Sequence, residues 1–218
     1  MALIEIRGLR RYYVMGDTVV RALDGVNLTI EQGEFLCLMG PSGSGKSTLL
    51  NMLGGLDKPT DGSIVVAGHR LSELDENGLA LYRQHEVGFV FQSYNLIPTF
   101  TAAQNVEFPL VFTGVSPQER RRRAGNLLTE LGLGDRLHHH PTEMSGGQQQ
   151  RVAVARSLIN QPHILLGDEP TGNLDSKTGA EILNLFVRLN RTGQTLIIVT
   201  HDPRVAEYGT RTIHMLDG

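Results

Sequence analysis

A glycine-rich stretch, Gly-Pro-Ser-Gly-Ser-Gly-Lys-Ser at residues 40–47, holds the residue types that bind phosphate. Its glycines allow backbone N–H groups to turn toward phosphate oxygens, and Lys46 can reach the outer phosphates of a nucleotide. The hydroxyl of Ser47 could ligate Mg²⁺. The stretch follows the apolar run 34–39 and precedes a leucine-rich segment. This order predicts a phosphate loop between a buried strand and the N-terminus of a helix, whose dipole favours anions.

Four further residues of chemical interest stand where apolar, strand-like runs end. They are Gln92, Asp168, Glu169 and His201, and each is predicted to stand at the end of a strand of one sheet. Ligands of an open parallel sheet bind at the carboxyl ends of its strands, so these side chains should share one edge with the phosphate loop. Asp168 could hold Mg²⁺, and Glu169 could polarise a water for in-line attack on a phosphate. Gln92 could contact the ion or the water, and His201 could donate a hydrogen bond to the phosphate.

The stretch 138–158 contains three consecutive histidines, a Ser-Gly-Gly turn and three glutamines. Zinc sites need spaced ligands, and three adjacent histidines followed by a proline cannot all face one ion, so a polar loop is predicted rather than a metal site. Ser145 is a suitable N-cap, and the residues after it carry apolar side chains at helical spacing. Gly146 and Gly147 permit close backbone approach. The stretch therefore predicts a second helix N-terminus suited to an anion.

The elements that must position these residues alternate along the chain. Strands are predicted at 3–6, 26–30, 34–39, 61–68, 87–92, 163–170, 195–202 and within 210–218, and helices after the phosphate loop, over 101–133 and over 179–190. Pro109 and Pro117 should interrupt the second of these helical stretches. Buried apolar strands that alternate with helices predict an α/β fold with a mostly parallel sheet. A helical subdomain inserted in the core is expected over about 93–160.

Composition narrows the class of protein. The chain has 218 residues, 40% apolar and 20% charged, which suits a single domain over residues 1–218. A net charge of −3 argues against a dedicated nucleic-acid binder, and a solvated helix face explains the basic run 119–123. Cys37 is the single cysteine, so an internal disulfide is excluded, and a buried strand residue in a reducing cytoplasm is predicted. No apolar run has the length of a signal peptide or a membrane span.

Taken in order, the motifs resemble the nucleotide-binding subunit of ATP-binding cassette (ABC) transporters over essentially the whole chain. Residues 40–48 resemble the Walker A motif. Residues 163–170 resemble Walker B, with Gly167 where alanine is common. Residues 144–148, Met-Ser-Gly-Gly-Gln, resemble the family signature, with Met144 in place of the usual leucine.

Shorter motifs match the family at single positions. Gln92 matches the Q-loop, and His201 matches the switch histidine. The sequence Gly-Asn-Leu-Asp that ends at Asp175 matches the D-loop. Tyr13 fits the aromatic residue that stacks on adenine, with Tyr12 as the competing candidate.

The resemblance implies a P-loop NTPase fold, with a mostly parallel core sheet, an antiparallel β subdomain and an inserted α-helical subdomain. It also implies ATP and Mg²⁺ as ligands. The implied nucleotide-binding residues are Tyr13, Gly40, Pro41, Ser42, Gly43, Ser44, Gly45, Lys46, Ser47, Thr48, Ser145, Gly146, Gly147, Gln148 and Asp175. The implied metal ligands are Ser47, Gln92 and Asp168, and the implied catalytic residues are Lys46, Gln92, Glu169 and His201.

Subunits of this family assemble head to tail around two ATP molecules, so residues 145–148 would hold the γ-phosphate of ATP on the opposite subunit. The groove near segment 92–100 is where the family receives its membrane permease; this segment includes Tyr94, Leu96, Pro98 and Phe100. The resemblance thus implies an ATPase homodimer attached to the cytoplasmic face of the membrane, with no nucleic-acid partner. The stretches 53–62, 91–110 and 168–176 look like the subfamily of lipoprotein-release, macrolide-export, peptide-resistance and cell-division ATPases.

Two other functions compete with a transporter ATPase. A soluble ABC ATPase of DNA repair or translation needs a long coiled coil or a second cassette, and the sequence supplies neither. A P-loop kinase would not explain the signature, and a regulatory nucleotide-binding module would not explain an intact Glu169.

Overall fold

The computed structural model describes residues 2–218, which form two sheets and a set of helices. The parallel sheet has the strand order β6-β7-β8-β3-β9. Its strands are β3 (Phe35–Met39), β6 (Val87–Phe91), β7 (Ile164–Asp168), β8 (Thr195–Thr200) and β9 (Arg211–His214). Every pairing in it is parallel, as predicted from the apolar runs. Strand β3, which leads into the phosphate loop, therefore lies between two strands from the end of the chain.

The second sheet is antiparallel and has the order β2-β1-β4-β5. Its strands are β1 (Ala2–Met15), β2 (Thr18–Glu31), β4 (Asp61–Val66) and β5 (His69–Arg70). The first two strands are far longer than the predicted 3–6 and 26–30. They continue as a two-stranded arm with several register shifts, whose tip is exposed, with Val14 at 76%. Because neither face of the arm is buried there, its sequence lacks the alternation that marks a strand.

Four helices belong to the loops that connect these strands. They are α1 (Lys46–Leu53), α2 (Glu76–His85), α6 (Ser176–Arg191) and α7 (Pro203–Ala206). Helix α1 starts at the phosphate loop, as predicted, and buries its leucines against both sheets. Helix α2 was not predicted; it begins at Asp75, whose side chain accepts a hydrogen bond from the Gly78 N–H at 2.7 Å.

Three further helices lie between β6 and β7 in the chain. They are α3 (Ala102–Glu107), α4 (Pro117–Glu130) and α5 (Gly146–Leu158), with 3₁₀ turns at Phe108–Thr113 and Pro141–Glu143. The two prolines interrupt the helical stretch as predicted, because Pro109 lies in a 3₁₀ turn and Pro117 opens α4 after the N-cap Ser116. Buried residues of these helices share one apolar cluster with Val90 and Leu165 of the sheet, so the inserted helices rest on the core.

Candidate functional site

The carboxyl edge of the parallel sheet opens into a cleft of about 780 Å³. Its lining combines the β1–β2 arm, the phosphate loop and the ends of β6, β7 and β8: Tyr13, Val20, Arg21, Ala22, Ser42, Gly43, Gly45, Lys46, Ser47, Thr48, Phe91, Gln92, Ser93, Asp168, Glu169, Val199 and His201. All four predicted strand-end residues are among them. The parallel order of the strands brings them together, because every parallel strand delivers its last residue to the same edge.

The phosphate loop places the N-terminus of α1, which has no side-chain cap, at this cleft. Gly45 precedes α1 with φ +90°, and no side chain caps the helix there. The Nζ atom of Lys46 donates to the Pro41 carbonyl at 2.6 Å and to the Ser44 hydroxyl at 3.3 Å, so the ammonium lies along the loop. Free N–H groups at the start of α1 and a nearby cation make an anion site.

Two glycines of the loop are required by close packing behind it. A Cβ atom on Gly40 would lie 2.0 Å from the Met215 carbonyl oxygen. One on Gly45 would lie 2.3 Å from the carbonyl oxygen of Ala22, in the left-handed backbone region that favours glycine. Gly40, Pro41 and Ser44 are not among the residues that line the cleft, whereas Gly43 (φ +84°) lines it and has open space around it.

Asp168, at the end of β7, faces Ser47 across the cleft. Burial raises the pKa of the Asp168 carboxyl, and the adjacent Glu169 charge raises it further, while Lys46 and a hydrogen bond from Ser47 act in the opposite direction. Lys46 is the cation whose charge acts on the Asp168 carboxyl, against the neighbouring negative charge of Glu169. A carboxylate, a hydroxyl and the amide oxygen of Gln92 in the same cleft are hard oxygen donors, so the residues present suit Mg²⁺ beside phosphates.

Glu169 is paired directly with His201. Its Oε1 atom accepts a hydrogen bond from the His201 N–H at 2.9 Å and lies 2.6 Å from the ring Nδ1. Its Oε2 atom accepts from the Thr200 hydroxyl at 3.2 Å. The Glu169 backbone has φ +47°, a left-handed value that is uncommon outside glycine and marks a constrained position. Sequence reasoning assigned these two residues separate tasks and did not foresee the pair or Thr200.

Gln92 is linked to the D-loop segment. Its Nε2 atom donates to Asn173 Oδ1 at 3.2 Å, and Asn173 Nδ2 donates to the Gln92 carbonyl at 3.0 Å. Sequence reasoning missed Asn173, although the residue stands inside the Gly-Asn-Leu-Asp motif. The reciprocal amide pair fixes the end of β6 against the loop that follows Glu169.

Tyr13, and not Tyr12, lines the cleft. The hydroxyl of Tyr13 donates to Asp57 at 2.7 Å, and the Arg11 guanidinium lies 4.4 Å from the ring centroid. The Tyr12 hydroxyl instead donates to Asp24 at 2.5 Å. Since Arg11 covers one face of the Tyr13 ring, the opposite face is the one that a base could stack on.

The signature residues do not reach this cleft. Ser145 and Gln148 form a capping box at the start of α5, with Gln148 Oε1 accepting from the Ser145 N–H at 3.0 Å. Asp175 caps α6 and accepts from the Thr178 hydroxyl at 2.6 Å, which lowers the pKa of its carboxyl. A Cβ on Gly147 would lie 2.3 Å from Thr178 Cγ2, so the two helix ends pack together, and neither contributes to the lining of the cleft.

The histidine run lies in the turn before Pro141–Glu143. His139 Nε2 lies 3.2 Å from the Arg136 guanidinium, and the His140 N–H donates to Glu143 at 2.7 Å. Within residues 2–218, no group of three or more His, Cys, Asp or Glu side chains is arranged to hold a metal ion. Across the same residues, no helix is both long and apolar enough to cross a membrane.

Comparison with known proteins agrees with this geometry. Residues 23–172 match the family described as ABC transporter. The macrolide export ATP-binding/permease protein MacB of Hyphomonas neptunium is 53% identical over 216 residues, which cover 99% of this chain and 34% of that protein. An uncharacterized ABC transporter ATP-binding protein of Thermotoga maritima is 51% identical over 99% of this chain and 92% of its own length. The chain thus spans about a third of the MacB relative.

Solved structures of the ATP-binding cassette MJ0796 share the fold. A dimeric structure described as a bacterial ABC transporter cassette has a TM-score of 0.90 at 48% identity, covering 99% of this chain and 95% of the other. A second, described as a dimeric post-hydrolysis state bound to ADP and Pi, has a TM-score of 0.89 at 47% identity, covering 97% and 94%. With the cleft, the signature and the family match in agreement, the chain belongs to the ABC transporter family.

Proposed function

We propose that this chain is the ATP-hydrolysing subunit of an ABC transporter. One observation carries the proposal: the phosphate loop, Asp168, Gln92 and the Glu169–His201 pair line one cleft. The post-hydrolysis state named for the MJ0796 cassette supports the same activity here.

ATP would bind with its phosphates on the loop and its base on the open face of the Tyr13 ring. Lys46 would leave the Pro41 carbonyl for the β- and γ-phosphates, because a charge-assisted bond to phosphate is stronger than one to a carbonyl. Ser42, Gly43 and Gly45 line the cleft beside it. Ser47, Gln92 and Asp168 would hold Mg²⁺, whose positive charge would offset the phosphate charge and the two carboxylates.

Hydrolysis requires a water to attack the γ-phosphorus while the bond to the β–γ bridging oxygen breaks. Glu169 would accept the proton of that water through its carboxylate. His201 holds one oxygen of this carboxylate, and Thr200 holds the other, so Glu169 is oriented before the substrate arrives. His201 has a side chain that is 74% exposed, which leaves it able to turn toward the γ-phosphate.

The signature residues do not line the nucleotide cleft, and this supports a dimer. Ser145, Gly146, Gly147 and Gln148 line no part of their own cleft, so they could contact ATP only on another subunit. The dimeric cassettes of MJ0796 support a head-to-tail homodimer. Asp175, which caps α6 beside the signature, would lie in the same interface.

A membrane permease is the partner that fits the second large groove. This groove of about 670 Å³ is lined by Phe89, Phe91, Phe108, Pro109 and Phe112, together with Arg83, Asn95 and Arg156. Phe112 is 67% exposed. Only Asn95 comes from the stretch after Gln92, so the groove adjoins segment 92–100 and is not formed by its aromatic residues. The MacB names support a permease partner, and attachment to the cytoplasmic face of the membrane follows from it.

The Glu169→Gln variant tests the activity and the assembly together. Loss of the proton acceptor should lower phosphate release by about 10² or more, while ATP binding survives because the amide keeps the size of the carboxylate. With saturating Mg-ATP the variant should elute as a dimer in size-exclusion chromatography. Glu207→Gln, at an exposed carboxylate, is the control and should behave as wild type.

The same trapped variant identifies the partner. It would be added with ATP to membranes of the source organism, solubilised gently and purified. Recovery of a polytopic membrane protein would support the transporter, whereas soluble proteins or nucleic acid alone would move the ATPase to DNA repair or translation. A strictly monomeric Glu169→Gln protein at saturating Mg-ATP would contradict the dimer.

A further inference from the structure

The backbone that follows Gln92 turns through two strained residues. Tyr94 has φ +60° and Asn95 has φ +50°, both in the left-handed region. Asparagine tolerates this region, but the backbone of a bulky tyrosine is strained in it, so contacts from outside the turn must hold Tyr94. Gln92 and Ser93 alone separate the end of β6 from this turn, so the turn is the next fixed point of the chain after Gln92.

Arg156 supplies that external support from the last turn of α5. Its Nη2 atom donates to the Tyr94 carbonyl at 2.9 Å, and its Nη1 atom donates to the Asn95 carbonyl at 2.5 Å. The planar guanidinium thus bridges the two strained peptides with two hydrogen bonds. Lysine has one ammonium and cannot reproduce this fork.

The arginine is committed to this contact at a cost. Burial lowers the pKa of the Arg156 guanidinium, and none of the ion pairs among residues 2–218 includes it. A half-buried cation without a carboxylate must be compensated by carbonyl dipoles, and the two that it contacts are those of Tyr94 and Asn95. An arginine whose guanidinium is fully solvated would have no such desolvation penalty.

The opposite end of α5 touches the same turn. A Cβ atom on Gly146 would lie 2.8 Å from the Tyr94 hydroxyl oxygen, so the Tyr94 ring packs on the first turn of α5. Helix α5 therefore contacts the turn near both of its ends. Only Arg156 does so through hydrogen bonds to the strained backbone.

We propose that Arg156 is a positioning residue that holds the turn after Gln92 and thereby sets the place of Gln92 in the cleft. The part of this inference that concerns Gln92 rests on the proposed function. Removal of the guanidinium would leave two carbonyls without their donor and release the turn, while the phosphate loop and the Glu169–His201 pair stay intact.

The test compares Arg156→Met and Arg156→Lys with Arg121→Met, a control at an exposed arginine of α4. Hydrogen exchange of residues 93–97 in the isolated protein should rise in Arg156→Met and less in Arg156→Lys. The kcat for ATP should fall about tenfold or more in Arg156→Met, since small misplacements of catalytic groups are costly. The KM should change by less than about twofold, and Arg156→Lys should recover part of kcat.

A double-mutant cycle with Gln92→Ala then asks whether Arg156 acts through Gln92. If it does, adding Arg156→Met to Gln92→Ala should lower kcat no further. Unchanged exchange in residues 93–97 of Arg156→Met, or fully additive losses of kcat, would overturn the proposal. Should Arg156→Met fail to fold, Arg156→Lys against wild type carries the exchange test. A Gln92→Ala protein with full kcat would refute the role of Gln92, while raised exchange in Arg156→Met would still identify the clamp.

Discussion

Helices α1 and α5 both begin at glycine-rich turns, yet their first turns are built differently. The start of α1 has glycine at its N-cap, no side-chain cap and the buried cation Lys46 beside it. The start of α5 is closed by the capping box of Ser145 and Gln148, and it carries no basic residue in its first turn. An uncapped end with a cation can bind an anion unaided, whereas a capped end without one needs an anion that is already held. Nucleotide binding at α1 should therefore precede the association of subunits through α5.

Lys46→Ala should have the largest effect, because it removes the cation that lies along the phosphate loop. We expect loss of ATP binding by the monomer and a fall in turnover of about 10² or more. Equilibrium binding of a fluorescent ATP analogue would measure the first and phosphate release the second. Lys58→Ala, at an exposed lysine outside the cleft, is the matched control. Undiminished turnover in Lys46→Ala would refute the site.

Alanine at Gly45 and at Gly147 compares the two helix ends directly. At Gly45 the added Cβ meets a backbone oxygen at 2.3 Å with φ +90°, so we expect a loss of about 2 kcal/mol or more of unfolding free energy and loss of nucleotide binding. At Gly147 it meets the Cγ2 methyl group of Thr178 at 2.3 Å, so the starts of α5 and α6 must move apart, away from the nucleotide cleft of their own subunit. Gly147→Ala should keep monomer ATP binding and weaken the dimer. Thermal unfolding and nucleotide binding would distinguish these outcomes. Equal losses of stability and of nucleotide binding in the two variants would contradict the comparison.

Ser145→Ala and Gln148→Ala divide the capping box into its two halves. The Ser145 hydroxyl can accept from the Gln148 N–H at 3.4 Å and donate to a phosphate at the same time, whereas the Oε1 atom of Gln148 accepts from the Ser145 N–H and leaves only the Nε2 amide group to donate elsewhere. Ser145→Ala should cost about 1 kcal/mol of stability and lower dimerisation on ATP. Gln148→Ala should mainly lower stability. Chemical denaturation and size-exclusion chromatography would measure both, and loss of monomer ATP binding in either would contradict the comparison.

Asp168→Asn should give the smallest change in stability. It should stabilise the protein, whereas the glycine and capping-box variants should destabilise it. The pKa of Asp168 is raised in the folded protein, so its ionised form costs stability above that pKa. Without nucleotide and Mg²⁺, the variant should melt about 1 to 3 °C higher near neutral pH, although it should lose turnover. The gain should shrink as the pH falls through the raised pKa, because Asp168 then becomes protonated. Asp17→Asn, at an exposed aspartate, should not shift the melting temperature.

The parallel core and the residues at its edge were predictable because burial on both faces leaves unbroken apolar runs. Strands β3, β6, β7 and β8 are such runs; β6, β7 and β8 each place their following residue at the cleft, and β3 leads into the phosphate loop. The start of α5 was predictable for a different reason. Ser145 followed by two glycines is a local signal that needs no tertiary context.

Features that depend on long-range contact were not predictable. The exposed β1–β2 arm has no buried face to impose a pattern, so its length was missed. Adjacent strand residues point to opposite faces, and only the pairing of β1 with its neighbours decides between Tyr12 and Tyr13. The Glu169–His201 contact joins residues from the ends of two different strands, and the left-handed backbone of Glu169 has no signal in the sequence.

The position of β3 between β8 and β9 has a consequence for how the protein acquires its site during synthesis. The four antiparallel strands β1, β2, β4 and β5 can pair once residue 70 has left the ribosome, but β3 pairs with none of them. Its partners for Phe35 and Met39 are Leu196 and His214, among others. Pairings so distant in sequence form slowly and late, after their loop-closure entropy has been overcome. A nascent chain therefore holds its phosphate-binding segment without the sheet partners of β3 until β8 and β9 have been made, and it should become competent for nucleotide only then.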